Sequence, residues 1–348
     1  MSMYNNIEEY INSCISSKAY ETNHWAGNNA IADLEGKLRS YYGAKHALCV
    51  DSATNGLMYL LLATGLKRSE VITSALGFGG TIAGALALNC KIHFADVDER
   101  LNIRPDSVRA ILTANTDIKA VLAVDFCGNP HDSKAIDQIC KDSGIWHFTD
   151  AAQSLGASDD SDALYFCDAL VVSFGSGKSV FAGGKGGAII TDNTNLYNRL
   201  VSVCQHPHRQ ERDLGIGFSH EYALNGGMHP ISAIIARDMF ENGLVTVSMI
   251  RKKMTDALGV LSSFPSVSSI LNQVGSTFYH CPFVVKDDEL FFKEFNASPL
   301  QENFYFSKAP FISLPAQMER TGLKRKIKSS ETPFLNQVLD KLYLLHLK

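Results

Sequence analysis

The chain has little that would tie it to nucleic acid or a membrane. Its longest basic block is three residues, as in Lys324-Arg325-Lys326, and its net charge is −4. Neither nucleic acid nor an anionic membrane surface is therefore expected as a partner. No uninterrupted apolar stretch approaches the roughly 20 residues that a membrane span needs. The eight cysteines, at 14, 49, 90, 127, 140, 167, 204 and 281, form no Cys-x-x-Cys, which argues against a zinc site and against a redox pair. Several stand in apolar runs, as Cys49 and Cys140 do, where a free buried thiol in a reducing cytosol is the natural reading. Met1 to Asn6 shows no basic stretch leading into an apolar one, so no secretion signal is expected and a cytoplasmic location is. The histidine and acids between residues 93 and 99 lack metal-ligand spacing, and no metal is assigned. Internal repeats and low-complexity segments are also missing.

What is present reads as an ordinary soluble globular protein, with 45% hydrophobic and 20% charged residues. A length of 348 residues is too great for one small core and predicts a large and a smaller domain. From about residue 30 to 240, helix and strand signals alternate. Helical spacing covers Ile31 to Tyr42, Asn55 to Leu66, Thr81 to Leu88, Ser107 to Leu112 and Ser133 to Ser143. Between and after these stand short apolar runs: Ala47 to Val50, Glu70 to Thr73, Lys91 to Phe94, Ala120 to Val124, Ile145 to Phe148, Ala169 to Phe174 and Ala188 to Thr191. Near-continuous apolar strands alternating with helices predict an α/β fold with a mainly parallel sheet covered on both faces. From about residue 241 the pattern changes. A long helix is expected over Thr246 to Leu261, strands at Thr277 to His280 and Phe283 to Val285, and a last helix over Thr332 to Leu345. The expected division is thus a large domain, residues 1–240, and a small α+β domain, residues 241–348.

Ligands of such sheets bind at the carboxyl ends of strands, and several reactive residues fall there. Lys178 lies in Ser173-Phe174-Gly175-Ser176-Gly177-Lys178, just after one strand and just before a glycine cluster at 183–187. Asp150 ends the strand before it, in Asp150-Ala151-Ala152-Gln153. A lysine amine that can form a Schiff base, paired with a carboxylate that can keep a pyridine nitrogen protonated, is what pyridoxal 5′-phosphate (PLP) chemistry requires. The plainer alternatives are a solvated loop lysine and a helix-capping aspartate. Ser173 places a hydroxyl within reach of a phosphate. Ser52-Ala53-Thr54 follows a strand and opens a helix, which suits either an anion cradle or a simple N-cap. Phe78, between Gly77 and Gly79, suits ring stacking or core packing. Gln153 can contact a phenolic oxygen or be a polar turn residue. Asn225 opens an Asn-Gly turn. His206, His208, Arg209 and Arg212 form a cationic stretch that can meet an anionic substrate or simply be a solvated loop.

Taken together, the ordered segments resemble the DegT/DnrJ/EryC1/StrS family of PLP-dependent sugar aminotransferases. They run from Leu34-Glu35 and Tyr42-Gly43-Ala44 through Ser52-Ala53-Thr54, Phe78-Gly79-Gly80-Thr81 and Phe94-Ala95-Asp96-Val97-Asp98. Asp150 to Ala157, Ser173 to Lys178, Gly184-x-Gly186-Gly187 and Asn225 follow. The resemblance implies the fold-type I architecture: a mainly parallel seven-stranded sheet between helices, plus a small C-terminal α+β domain. It also implies a homodimer with sites at the interface. Lys178 would carry the cofactor as a Schiff base and move the proton. Asp150 would pair with the ring nitrogen, Gln153 would contact the phenolic oxygen, and Phe78 would stack on the ring. Ala53, Thr54 and Ser173 would hold the phosphate, joined by Asn225 from the other subunit. The implied reaction moves an amino group, with L-glutamate as donor, to a keto-sugar, nucleotide-linked or a related sugar acid. Family members with histidine at the lysine position catalyse dehydration instead, so Lys178 favours transamination. The chain departs from the family pattern at Asp125-Phe126-Cys127-Gly128, Lys185 and Gly226-Gly227. The departures at Lys185 and Gly226-Gly227 keep a second reading in play, a lyase or dehydratase acting on an unusual substrate, and the short C-terminal domain keeps a third, a non-catalytic PLP-binding protein.

Overall fold

The computed structural model describes residues 29–157, 166–216, 224–272, 275–329 and 331–348, with residues 12, 16 and 27 besides. The large sheet has the order β1-β7-β6-β5-β4-β2-β3-β11. Its strands are β1 (His46–Val50), β2 (Glu70–Ser74), β3 (Lys91–Ala95), β4 (Ile118–Val124), β5 (Trp146–Asp150), β6 (Ala169–Ser173), β7 (Gly187–Thr191) and β11 (Ile327–Ser329). All neighbouring pairs are parallel except those of β7, which runs antiparallel to both β1 and β6. The seven expected strands form, and β11 adds an eighth beside β3 from the C-terminal part of the chain.

Strand residues alternate between two helix layers, which is the period-2 consequence of the pleat. Val71, Ala120, Leu122, Val124 and Val171 face one core with helices α2 (Ala53–Ala63), α3 (Gly79–Ala87) and α6 (Thr194–Cys204). On the opposite face, Leu170, Val172, Ala188 and Ile190 pack with α1 (Ala30–Tyr42) and α8 (Pro230–Leu261). Farther along that face Ile72, Val121 and Ala123 meet α4 (Pro105–Ala114) and α5 (Ser133–Ser143). Helix starts follow the sequence chemistry. Ser52 caps α2 by accepting the Asn55 N–H at 3.2 Å, and Asp132 caps α5 by accepting the Ala135 N–H at 3.0 Å. Gly43 and Gly144, both left-handed, close α1 and α5.

The second part departs from the sequence expectation in three places. The helix expected from Thr246 begins at Pro230 and runs 32 residues, so the expected domain boundary at 240/241 falls inside it. Its first half, through Phe240, packs in the large core; Met254, Ala257 and Leu261 pack in the small one. Thr277 to His280 is not a strand, because Phe278 takes a left-handed φ of 54° that ends extended pairing. The expected last helix stops early: a helix covers Pro333–Val338, and Leu342–Leu347 is strand β12. Leu342 to Leu345 are four consecutive buried residues, a pattern in which a fully covered strand and a buried helix look alike. Strand β12 pairs antiparallel with β10 (Phe304–Lys308) and β9 (Pro282–Val285), and β8 (Val267–Ile270) completes the small sheet.

Candidate functional site

The carboxyl ends of β5 and β6 and the start of α2 meet at one cleft. Ala53, Thr54, Phe78, Asp150, Gln153, Ser173 and Lys178 all line it, with Ser52, Gly80 and Lys185 among their neighbours. Asp150 is buried at the end of β5. Its Oδ2 accepts the Thr81 hydroxyl at 2.6 Å and its Oδ1 accepts the Ala152 N–H at 3.1 Å. Burial pushes its carboxyl up from the ordinary range; the two hydrogen bonds and the nearby Lys178 charge pull the other way. Thr81 is the member of this arrangement that sequence reading did not single out. Its signal was its place at the N-terminus of α3, three residues after Phe78.

Lys178 follows β6 in a loop folded back on itself. The Phe174 N–H donates to Gly186 O and the Ala182 N–H to Phe174 O, each at 2.9 Å. Gly175 bridges to Gly184, and Gly177 and Gly183 take left-handed φ values of 79° and 75°. The Lys178 Nζ lies 4.2 Å from the ring centroid of Tyr279, which arrives from the C-terminal part of the chain and was also not foreseen. The Ser173 hydroxyl oxygen accepts the Gly175 N–H at 3.3 Å. The Gln153 carboxamide oxygen accepts the Cys127 N–H at 2.7 Å, which leaves its NH2 as the group available to donate.

The geometry fits a flat, anionic aromatic ligand. Phe78 is 71% exposed, a large apolar ring at the cleft. Gly80 keeps room beside it: a Cβ there would stand 2.7 Å from Thr54 Oγ1 and 2.8 Å from the Phe78 ring. Ser52-Ala53-Thr54 presents the first amides of an 11-residue helix to the same space.

Asn225 is elsewhere. It is exposed, at φ 49°, in a second recess with Gln205, His206 and His229. The Gly226 beside it donates its N–H to Cys204 O at 2.7 Å and accepts the Asp51 N–H at 2.9 Å. A Cβ at Gly226 would collide with the Tyr59 ring, which is the packing reason for glycine there. The cationic stretch is corrected more strongly. It forms helix α7 (Pro207–Leu214), and Arg209 is buried with two N–H groups on Glu35, at 2.8 and 2.9 Å, and a third on Asp213 at 3.0 Å. Arg212 pairs with Asp213 as well. Arg209 is thus a structural cation and does not reach the cleft.

Among the described residues no helix is long and apolar enough to cross a membrane, and no cluster of three or more His, Cys, Asp or Glu is arranged to hold a metal. The seven described cysteines are free, and Cys49 and Cys140 are buried as expected.

The profile of the DegT/DnrJ/EryC1/StrS aminotransferase family matches residues 6–332. A UDP-4-amino-4,6-dideoxy-N-acetyl-beta-L-altrosamine transaminase of Campylobacter jejuni subsp. jejuni serotype O:23/36 (strain 81-176) is 30% identical over 192 residues, which is 55% of this chain and 51% of that protein. The chain therefore spans about half the length of the curated relatives it matches. Among solved structures, a DegT DnrJ EryC1 StrS aminotransferase from Brucella abortus superposes with a TM-score of 0.79 at 19% identity, over 99% of this chain and 90% of that one. Helicobacter pylori PseC, an aminotransferase involved in the biosynthesis of pseudoaminic acid, gives 0.79 at 17% identity, over 99% and 92%. This chain belongs to the DegT/DnrJ/EryC1/StrS aminotransferase family.

Proposed function

We propose that this family member is a PLP-dependent aminotransferase that moves an amino group, with L-glutamate as donor, to the keto group of a sugar, nucleotide-linked or a related sugar acid. The observation that carries the reading is the meeting of Lys178 with the buried carboxylate Asp150 in a cleft that Phe78 and the start of α2 also line. When bound, PLP supplies an electron sink for charge that develops at the amino-bearing carbon. Asp150, short of water and fixed by Thr81 and Ala152, would hold a proton on the ring nitrogen. Phe78 would cover one ring face and the Gln153 NH2 would meet the phenolic oxygen. The amides of Ala53 and Thr54, with the Ser173 hydroxyl, would hold the phosphate. Lys178 would take the proton from the substrate carbon and return it on the neighbouring side.

Asn225 lies outside the cleft of its own chain, which is consistent with its completing the phosphate site of a second copy; the working unit would be a homodimer, in the cytoplasm. A lyase or dehydratase is the second reading, motivated by Lys185 and Gly226-Gly227, but lysine rather than histidine at 178 favours amino transfer. The test adds PLP and then L-glutamate to the purified protein. A visible absorption band that bleaches with release of 2-oxoglutarate is expected. Lys178→Ala should bind cofactor without the band and without turnover. Absence of a band in the unaltered protein, or turnover in Lys178→Ala, would overturn the reading.

A further inference from the structure

Residues 275–280 link β8 to β9 and are pinned to the cofactor side of the cleft. The Ser276 hydroxyl and the Thr277 N–H both donate to Gly128 O, each at 3.1 Å. The Thr277 hydroxyl donates to Gln153 O at 2.7 Å, and the His280 N–H donates to Cys127 O at 3.3 Å. Gly128, at φ 83°, is glycine because any Cβ would collide with Thr277. In the middle, Phe278 is buried in the left-handed region, a conformation a phenylalanine adopts only where its surroundings over-determine it. The product of this stitching is the position of the next side chain: the Tyr279 ring, 4.2 Å from Lys178 Nζ.

We infer that Tyr279 is a positioning residue that holds the Lys178 ammonium on its ring face whenever that amine is not joined to the cofactor. The inference rests on Lys178 being the cofactor-bearing lysine. Among the described residues no hydrogen bond from Lys178 Nζ to a carboxylate, carbonyl or hydroxyl is present, so the ring face is its specific contact. That choice of partner suits a lysine that must alternate between bound and free states. A carboxylate would grip the cation by charge and hold the amine in its protonated form. A π face attracts the cation by its quadrupole more weakly than a full negative charge does, so the amine is kept at the cleft yet is released easily. His280, the next residue, does not compete. Burial, then His346 and Lys178, push it down to about 4, so it stays neutral beside the ammonium near neutral pH.

The experiment uses the full chain stripped of cofactor. Lys178 acylation by acetic anhydride at pH 8 is followed by peptide mass spectrometry, normalised to the exposed Lys293. Tyr279→Leu should label Lys178 about fivefold faster than the unaltered protein, the size of a cation–π contact of moderate strength. Tyr279→Phe, which keeps the ring, should stay within about twofold. Tyr279→Met, flexible enough to fill the same gap, replaces the leucine variant if that one does not fold. Labelling of Tyr279→Leu at the unaltered rate would overturn the inference. So would equally fast labelling of Tyr279→Phe, which would put the hold on the hydroxyl. Adding PLP to the unaltered protein separates the two ideas: loss of the visible band there would strike the Lys178 assignment, whereas the labelling ratio reports on Tyr279 alone.

Discussion

Alanine at Gly187 should damage both the stability and the cofactor site, although the change adds a single methyl group. Gly187 begins β7, between Val50 of β1 and Ser173 of β6. A Cβ built there stands 2.6 Å from Ala53 N, 2.8 Å from Val172 O and 2.9 Å from the Ser52 carbonyl carbon. All three are backbone atoms, so no side chain can rotate away. Each contact falls well short of the roughly 3.5 Å at which heavy atoms attract. Relief requires β7 to withdraw from β6 and from the start of α2, and overpacking of this kind costs about 1–3 kcal/mol. Taking about 2 kcal/mol, and an unfolding entropy of about 2.1 cal/mol/K for each of the 348 residues, the melting temperature should fall by roughly 3 °C. The displaced atoms belong to Ser52 and Ala53, so PLP affinity should fall as well, by roughly tenfold if about 1.4 kcal/mol of the strain is felt at the phosphate. Gly184→Ala is the control, since nothing lies within 4 Å of a Cβ there. It should melt within about 1 °C of the unaltered protein by the same scale. Differential scanning fluorimetry with and without PLP, and PLP titration by absorbance, read both effects. Equal melting and equal PLP affinity for Gly187→Ala and Gly184→Ala would refute the close-approach reasoning.

Three further perturbations test other parts of the structure. Glu35→Gln leaves the buried Arg209 cation with Asp213 but without its two-point carboxylate partner and weakens the 2.7 Å acceptor for the Cys49 N–H, so urea denaturation should show a loss of about 3 kcal/mol; a loss below about 1 kcal/mol would contradict the burial of that pair. Thr81→Val removes the hydroxyl that donates to Asp150, leaving a buried carboxylate oxygen unpaired at about 1–3 kcal/mol, and Thr81→Ser should restore most of it. His280 is held neutral when folded, to about 4, against about 6.5 in the unfolded chain. Between those values the unfolded state binds more protons, so this contribution is complete above about pH 6.5 and is lost as pH falls toward 4. His280→Asn should flatten that part of the stability–pH curve, and an unchanged slope would show that His280 is not the group responsible.

The parallel half of the fold was readable because each signal there is local and redundant. Apolar runs of four to six residues alternating with helices leave few alternative topologies, and Ser133 to Ser143 emerged as a helix with those same ends. The cleft residues on β5, β6 and the start of α2 were readable for the same reason, since a parallel sheet collects strand ends on one side. What escaped depends on contacts between distant segments. Arg209 looks like a solvated loop cation until Glu35, 174 positions away, is folded against it. Tyr279 carries no motif of its own; its place over Lys178 depends on hydrogen bonds to Gly128, Cys127 and Gln153 from a segment that follows the long helix. Leu342–Leu347 reads equally well as helix or strand until β9 and β10 supply hydrogen-bonding edges on either side.

The departures from the family pattern do not carry equal weight once their surroundings are known. Asp125 accepts the His131 N–H at 3.0 Å and pairs with the His131 Nδ1 at 2.7 Å, while its other oxygen accepts the Ser154 hydroxyl at 2.6 Å. Its own N–H donates to Asp150 O at 3.1 Å. It is fully buried, so its charge braces the strand ends beneath Asp150 and is not presented to a substrate. Gly226 is matched to Tyr59, and its change is one of packing. Lys185 alone of the three puts its new charge where a ligand would meet it, exposed and lining the cleft beside Lys178. Asp125 and Gly226 therefore have internal counterparts in this chain, His131 and Tyr59, that account for them without reference to the substrate. Among the described residues the reversal at Lys185 has no such counterpart, so it is the departure that would bear on a ligand of this cleft.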